Sequence, residues 1–96
     1  MNIPAAIKIL AHTYNIEMAP NMFLESNSMG TCCSNLLKIK IASCTPESQQ
    51  ADTLLHEIIE ALNYQLELSL EHNVIASLTA GLLAVIRDNS IDFRAH

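Results

Sequence analysis

Thr45-Pro46-Glu47-Ser48-Gln49-Gln50-Ala51-Asp52-Thr53-Leu54-Leu55-His56-Glu57-Ile58-Ile59-Glu60-Ala61-Leu62-Asn63-Tyr64-Gln65-Leu66-Glu67 is the stretch on which the reading of this chain turns. Thr45 is suited to accept from an orphan N–H, Pro46 is tolerated at a first helical position, and an acid in the first turn suits the helix dipole. Leu54, Leu55, Ile58, Ile59, Leu62 and Leu66 recur at the i, i+3/i+4 spacing of a core-facing stripe. A helix is predicted over about 46–67. At about 100° per residue, His56, Glu60, Asn63 and Glu67 share a second stripe facing away from the leucines, with Glu57 about a quarter circle from it.

Downstream, a short break around Ser69-Leu70-Glu71 leads to a second predicted helix over about 72–88. Its buried side is expected to carry Val74, Ile75, Leu78, Leu82, Val85 and Ile86. Gly81 on that side would let a neighbour approach closely, at a propensity cost of about 1 kcal/mol. Asn89-Ser90 ends the helix, and a loose tail is expected over 89–96.

Upstream, strands are predicted over about 6–42. Ile7 and Ile9, then Tyr14, Ile16 and Met18, alternate with polar neighbours, as for two short strands or one bent one, with Asn15 and Glu17 facing water. Pro20-Asn21 breaks this segment, and Glu25 to Gly30 reads as a connection or lid. Thr31 to Ala42 reads as a hairpin turning at Ser34-Asn35. In Leu37-Lys38-Ile39-Lys40-Ile41 the two lysines read as the solvated side of an edge strand, where charge discourages edge-to-edge pairing. The fold class that follows is α+β: a small, mostly antiparallel sheet of three or four strands in the N-terminal half, packed on two antiparallel helices that lie across it.

With 96 residues, half of them apolar, one domain spanning 1–96 with one core is expected. No apolar run approaches the roughly 20 residues that span a bilayer, and no basic-then-apolar leader opens the chain, so a cytoplasmic, non-membrane protein is expected. Three cysteines, Cys32, Cys33 and Cys44, make a poor disulfide framework and are read as free thiols. A net charge of −5, with only Lys8, Lys38, Lys40, Arg87 and Arg94 as basic groups, argues against nucleic-acid binding.

His56-Glu57-Ile58-Ile59-Glu60 differs by one residue from the H-E-x-x-H pattern. There, i, i+4 spacing stacks two metal ligands one turn apart, and the glutamate after the first serves as general base for a water. Glu60 stands where the second histidine would be, and a carboxylate oxygen also ligates zinc. Two carboxylates beside one imidazole also suit harder ions such as Mn2+ or Mg2+.

Together with the strand Leu37 to Ile41, Thr45-Pro46-Glu47 and the second helix closing in Leu82-Leu83-Ala84-Val85-Ile86-Arg87-Asp88-Asn89, the run Leu54 to Asn63 resembles small phage-type zinc metallopeptidases related to minimal gluzincins and the ImmA/IrrE group. The resemblance covers roughly residues 30–89. It implies a zincin-like sheet whose edge strand borders the cleft, a cation (Zn2+) held by His56 and Glu60, and Glu57 as the catalytic general base. The third ligand is expected from the second helix, where Ala80 and Gly81 stand in place of a glutamate. His72, with Glu71 behind it, is the substitute.

Two functional expectations follow. One is a metal-dependent peptidase acting on a protein or peptide. The other is a catalytically inactive binding protein on the same frame that inhibits or modulates a host protein. A homodimer through Met18, Met22, Phe23 and Leu24 is compatible with either. Other readings are plainer: Glu57, Glu60 and Glu67 as helix solubilisers, His12 as a surface histidine, and Tyr64 as a packing tyrosine or an oxyanion donor at the cleft. Cys32 or Cys33 as a nucleophile lacks a base positioned by the sequence, and Cys32, Cys33 and Cys44 lack the spacing of a structural zinc site.

Overall fold

Alternation in the first half and helical periodicity in the second both translate into structure in the computed structural model, which describes residues 3–94. Strand β1 (Ala6–Ile9) turns back through Leu10-Ala11 into β2 (His12–Ala19). A short helix α1 (Met22–Ser26) then leads to β3 (Gly30–Cys33), which hairpins into β4 (Lys38–Ala42). Helices α2 (Glu47–Leu66) and α3 (His72–Asn89) follow. The protein is α+β, with a four-stranded mixed sheet in the order β1-β2-β4-β3 and a two-helix C-terminal half.

The alternating residues build the core as the pattern requires. Tyr14, Ile39 and Ile41 are fully buried beneath α2 and form one core cluster with Ile9 of the sheet and Leu54 and Ala61 of the helix. The Tyr14 hydroxyl is not stranded there: it donates to Ser34 Oγ (3.0 Å) and accepts from Gln65 Nε2 (3.0 Å), tying β2 to the β3–β4 turn and to α2. That matters because an unpaired buried hydroxyl costs more than a paired one contributes.

The sheet corrects one expectation. The strand bearing Lys38 and Lys40 is not at an edge: β4 lies between β3 and β2, paired parallel to β2 with Glu17 opposite Lys40. Both lysines reach Glu17, at 3.6 and 3.8 Å, on the face away from α2. These are exposed pairs of small energetic weight, but they discharge the lysines within the sheet, so no free edge is needed. A parallel pair requires a return path, and α1 with β3 provides it. The expected loop there is therefore partly helical, α1 ending at Asn27 in the left-handed conformation.

The start of α2 departs from the expected cap. Thr45 Oγ1 donates back to the Ala42 carbonyl (2.7 Å) and caps nothing. Gln50 instead reaches back from the first turn, its Nε2 donating to the carbonyls of Thr45 (2.9 Å) and Ser43 (3.2 Å). The strand-to-helix corner is thus held from inside the helix.

α2 lies on the sheet, against β1, β3 and β4, and α3 packs on α2. The helices run antiparallel, since His72 meets Glu60 while Leu83 and Arg87 lie beside Glu47 and Ala51. Because α3 packs chiefly on α2 and not across the sheet, only a narrow stripe of it is covered. Ile75 and Thr79 are its buried residues. Val74, Leu78, Leu82 and Val85, expected inside, are 40–50 % exposed, and nothing lies within 4 Å of where a Gly81 side chain would begin. The expected tail is shorter than 89–96: Asn89 is still helical, and residues 95–96 lie outside those described.

Among the described residues, no helix is long and apolar enough to cross a membrane. Cys32, Cys33 and Cys44 are free thiols, as expected.

Two stability measurements check this packing. Leu78→Ser and Leu82→Ser are expected to change unfolding free energy by under about 0.5 kcal/mol each, whereas Ile75→Ala is expected to cost about 2–4 kcal/mol. Gly30→Ala is expected to cost about 1–3 kcal/mol, because a Cβ there runs into Thr53 Cγ2 and stands 3.2 Å from the Lys40 carbonyl. Thr53→Ser, which removes that methyl, should recover part of the loss; urea denaturation of the four single variants and the Gly30/Thr53 pair reads both.

Candidate metal centre

A cleft of about 630 Å3 opens between the edge strand β3 and the exposed flank of α2. Gly30 to Cys33, with Ser34 and Asn35 of the following turn, form one wall. His56, Glu57, Glu60, Asn63 and Tyr64 form the other, and His72 stands at the rim. The edge strand at the cleft is therefore β3, a position freed by the central placement of β4.

His56 and Glu60 are one turn apart on α2, and His56 Nε2 lies 3.4 Å from Glu60 Oε2. The same carboxylate oxygen is 3.6 Å from His72 Nδ1, the imidazole that α3 brings back over α2. The two rings are 4.9 Å apart between centroids. Among the described residues, His56, Glu60 and His72 form a group whose ligand atoms all lie within 4.8 Å of one another, without Glu71.

The donor set fits a divalent cation. Ligand atoms bonded at 2.0–2.1 Å around a tetrahedral zinc are about 3.4 Å apart; the two separations from Glu60 are 3.4 and 3.6 Å, and the two imidazoles place their ligand atoms within 4.8 Å of each other. The His72 side chain is 78 % exposed, so it is the solvent-facing member of the group.

Glu57 has a different environment from its neighbours. It is only 7 % exposed, wedged between α2 and β3, with Oε2 3.3 Å from where a Gly30 Cβ would stand. Desolvation raises its pKa to about 7, with the nearby Glu60 charge a second cause. The reading of Glu57 as a helix solubiliser therefore does not hold: a glutamate placed for solubility would be in water.

Other residues singled out in the sequence take simpler places. Tyr64 lines the cleft, more than half exposed, and its hydroxyl donates to Asn35 Oδ1 (2.8 Å). Cys32 faces the cleft beside Ser34 Oγ (3.7 Å), and burial raises its thiol pKa, which disfavours the thiolate a nucleophile requires. His12 is a surface residue at the start of β2. Met18 and Leu24 are exposed, while Met22 and Phe23 are half-buried.

Gly30 was not legible as part of the site. Its position just after a polar loop was the only signal, and what it does depends on how near α2 approaches.

No family model matches the chain, and neither does any curated protein or solved structure.

Burial of Glu57 has a pH signature in cation-free protein. Its carboxyl is held above the ordinary glutamate value of 4.5 in the folded state, so the folded form binds more protons than the unfolded one between the two values. Stability on this account is full below about 4.5 and declines as pH rises through about 7. Glu57→Gln is expected to be stabilising by about 1–2 kcal/mol at about pH 8, after discounting for solvent at the cleft, and near neutral at about pH 4. Urea unfolding in chelator at both pH values measures it; an equal effect at both would contradict this environment for Glu57.

Proposed function

We infer that this protein is a divalent-cation-dependent peptidase of minimal zincin type, acting on an extended segment of a protein or peptide. One observation carries the reading: His56, Glu60 and His72 converge from two helices within 4.8 Å, and Glu57, adjacent to the first of them, lines the same cleft.

His56, Glu60 and His72 would hold the cation, most readily Zn2+, with Mn2+ or Mg2+ as alternatives given the carboxylate. A divalent cation in such a site supplies Lewis acidity to a carbonyl oxygen and makes water easier to deprotonate. Glu57 is the general base: its carboxylate takes a proton from water as the water oxygen bonds to the peptide carbon. It returns that proton to the amide nitrogen as the C–N bond breaks. A pKa of about 7 suits both halves of this exchange. The free edge of β3 offers main-chain donors and acceptors along the cleft, which favours an extended chain over a compact ligand.

Metal analysis and activity test this together. Purified protein titrated with Zn2+ is expected to bind about one equivalent, and His56→Ala to bind far more weakly. Glu57→Gln is expected to keep the metal and lose hydrolysis of an unstructured protein substrate by at least about 100-fold. Absence of zinc binding in the wild type would refute the reading. Zinc binding without hydrolysis would leave the non-catalytic binding protein on the same frame.

A further inference from the structure

We propose that Asn63 is a positioning residue of the cation site, setting its affinity by holding the α2–α3 linker so that His72 arrives beside Glu60. The proposal rests on the reading of His56, Glu60 and His72 as ligands. It concerns what places the third of them.

Two of those residues need no help. His56 and Glu60 sit one turn apart on a 20-residue helix packed on the sheet, and the backbone of α2 fixes their spacing. His72 is different: it is the first residue of α3, it is largely exposed, and it reaches the site only if the chain between the helices takes one particular path.

α3 is anchored beyond His72, by side chains that do not touch the path of the linker before it. Its buried residues are Ile75 and Thr79, and the Thr79 hydroxyl bonds within the helix, to the Ile75 carbonyl (2.8 Å). Its N-cap, Glu71, makes no side-chain capping bond.

The linker is also conformationally costly. Glu67 (φ 51°) and Ser69 (φ 58°) both occupy the left-handed region, where a residue with a Cβ is disfavoured. Glu67 takes this conformation as the C-cap of α2, an ordinary helix ending, whereas Ser69 lies outside any cap and persists where a partner holds the linker and so selects it.

Asn63 supplies that selection. Its backbone carbonyl accepts from the Leu68 N–H (3.1 Å) and serves as an acceptor for the α2 cap residue Glu67. Its side chain then grips the linker further on. The Leu70 N–H donates to Asn63 Oδ1 at 2.9 Å, and Asn63 Nδ2 donates to the Leu70 carbonyl at 3.4 Å. A planar carboxamide paired with both groups of one residue fixes its position and its orientation. Leu70 lies two residues before His72, so the grip is applied where it most directly aims the imidazole. Asn63 lies on the stripe of α2 that carries His56 and Glu60, so helix and linker are joined on the flank that the cation would occupy.

The test is a double-mutant cycle read by metal affinity. Zn2+ dissociation constants are measured by competition with a chromophoric chelator for wild type, Asn63→Ala, His72→Ala and the double variant. Asn63→Ala is expected to weaken Zn2+ binding about 10- to 100-fold, the range for groups that orient a ligand without touching the metal. His72→Ala should weaken it at least as much, and the double variant should equal His72→Ala within about threefold, because a residue acting through His72 has nothing to position once His72 is gone.

Co2+ spectra give an independent readout: the Asn63→Ala d–d bands should move toward those of His72→Ala, a change that a purely structural role would not cause. Alanine is the better helix former, so α2 should survive the change, and circular dichroism in chelator checks this. Asn63→Gln, which keeps both polar groups but displaces them by a methylene, should also weaken Zn2+ binding.

Wild-type affinity in both Asn63 variants would overturn the proposal. So would losses that multiply in the double variant, since Asn63 would then act on something other than His72. Unchanged affinity in His72→Ala would overturn the three-ligand reading and this proposal with it.

Discussion

The cleft owes its shape to how closely α2 lies on the edge strand β3. At Gly30 the strand backbone comes so near the helix that no side chain fits beside Thr53, and the Glu57 carboxyl is enclosed at the same point. Close approach of helix and strand is a packing result first: Ile39 and Ile41 on β4, with Tyr14 on β2, pull the leucine-bearing side of α2 onto the sheet. Its chemical consequence is that a carboxylate one residue from His56 leaves water while His56 itself stays at the cleft.

Burial of that kind carries a cost. A glutamate enclosed beside a second glutamate, with no cationic partner among the described residues, destabilises the folded state at neutral pH, in line with the upward shift of its pKa. A packed core has no use for such a group, and strongly perturbed carboxyls in clefts are candidate catalytic groups for this reason. Glu60 completes the pattern from the other side. Its Oε2 lies between two imidazoles that reach it from different helices, an arrangement of donors around a small space that a dication would neutralise.

α3 contributes through its first residue more than through its packing. With Ile75 and Thr79 as its only buried residues, the apolar side chains of Val74, Leu78, Leu82 and Val85 stand partly in water. The helix packs on α2 from Ile75 to Leu83 and Arg87, and its first residue, His72, stands beside Glu60. Secondary structure here sets where a ligand can stand; the short chain between the helices determines whether it stands there.

Local chemistry made much of this legible in advance. The alternation of Ile7 to Met18, the two helices, expected over about 46–67 and 72–88 and observed over 47–66 and 72–89, and the sharing of one flank by His56 and Glu60 follow from periods of two and 3.6 residues, and the turn at Ser34-Asn35 from its residue types. What periodicity cannot express is which neighbour a face meets. Lys38-Ile39-Lys40 reads alike in an edge or a central strand, because the parallel partner that supplies Glu17 is more than 20 positions away. The apolar stripe of α3 reads as core, because hydrophobic spacing does not say whether a second layer exists to cover it. The helix and the flank that carries His56, Glu60 and Asn63 belonged to the sequence by itself. The burial of Glu57 against Gly30 and the arrival of His72 at Glu60 were decided only by tertiary structure, since both depend on distances between segments that no local pattern encodes.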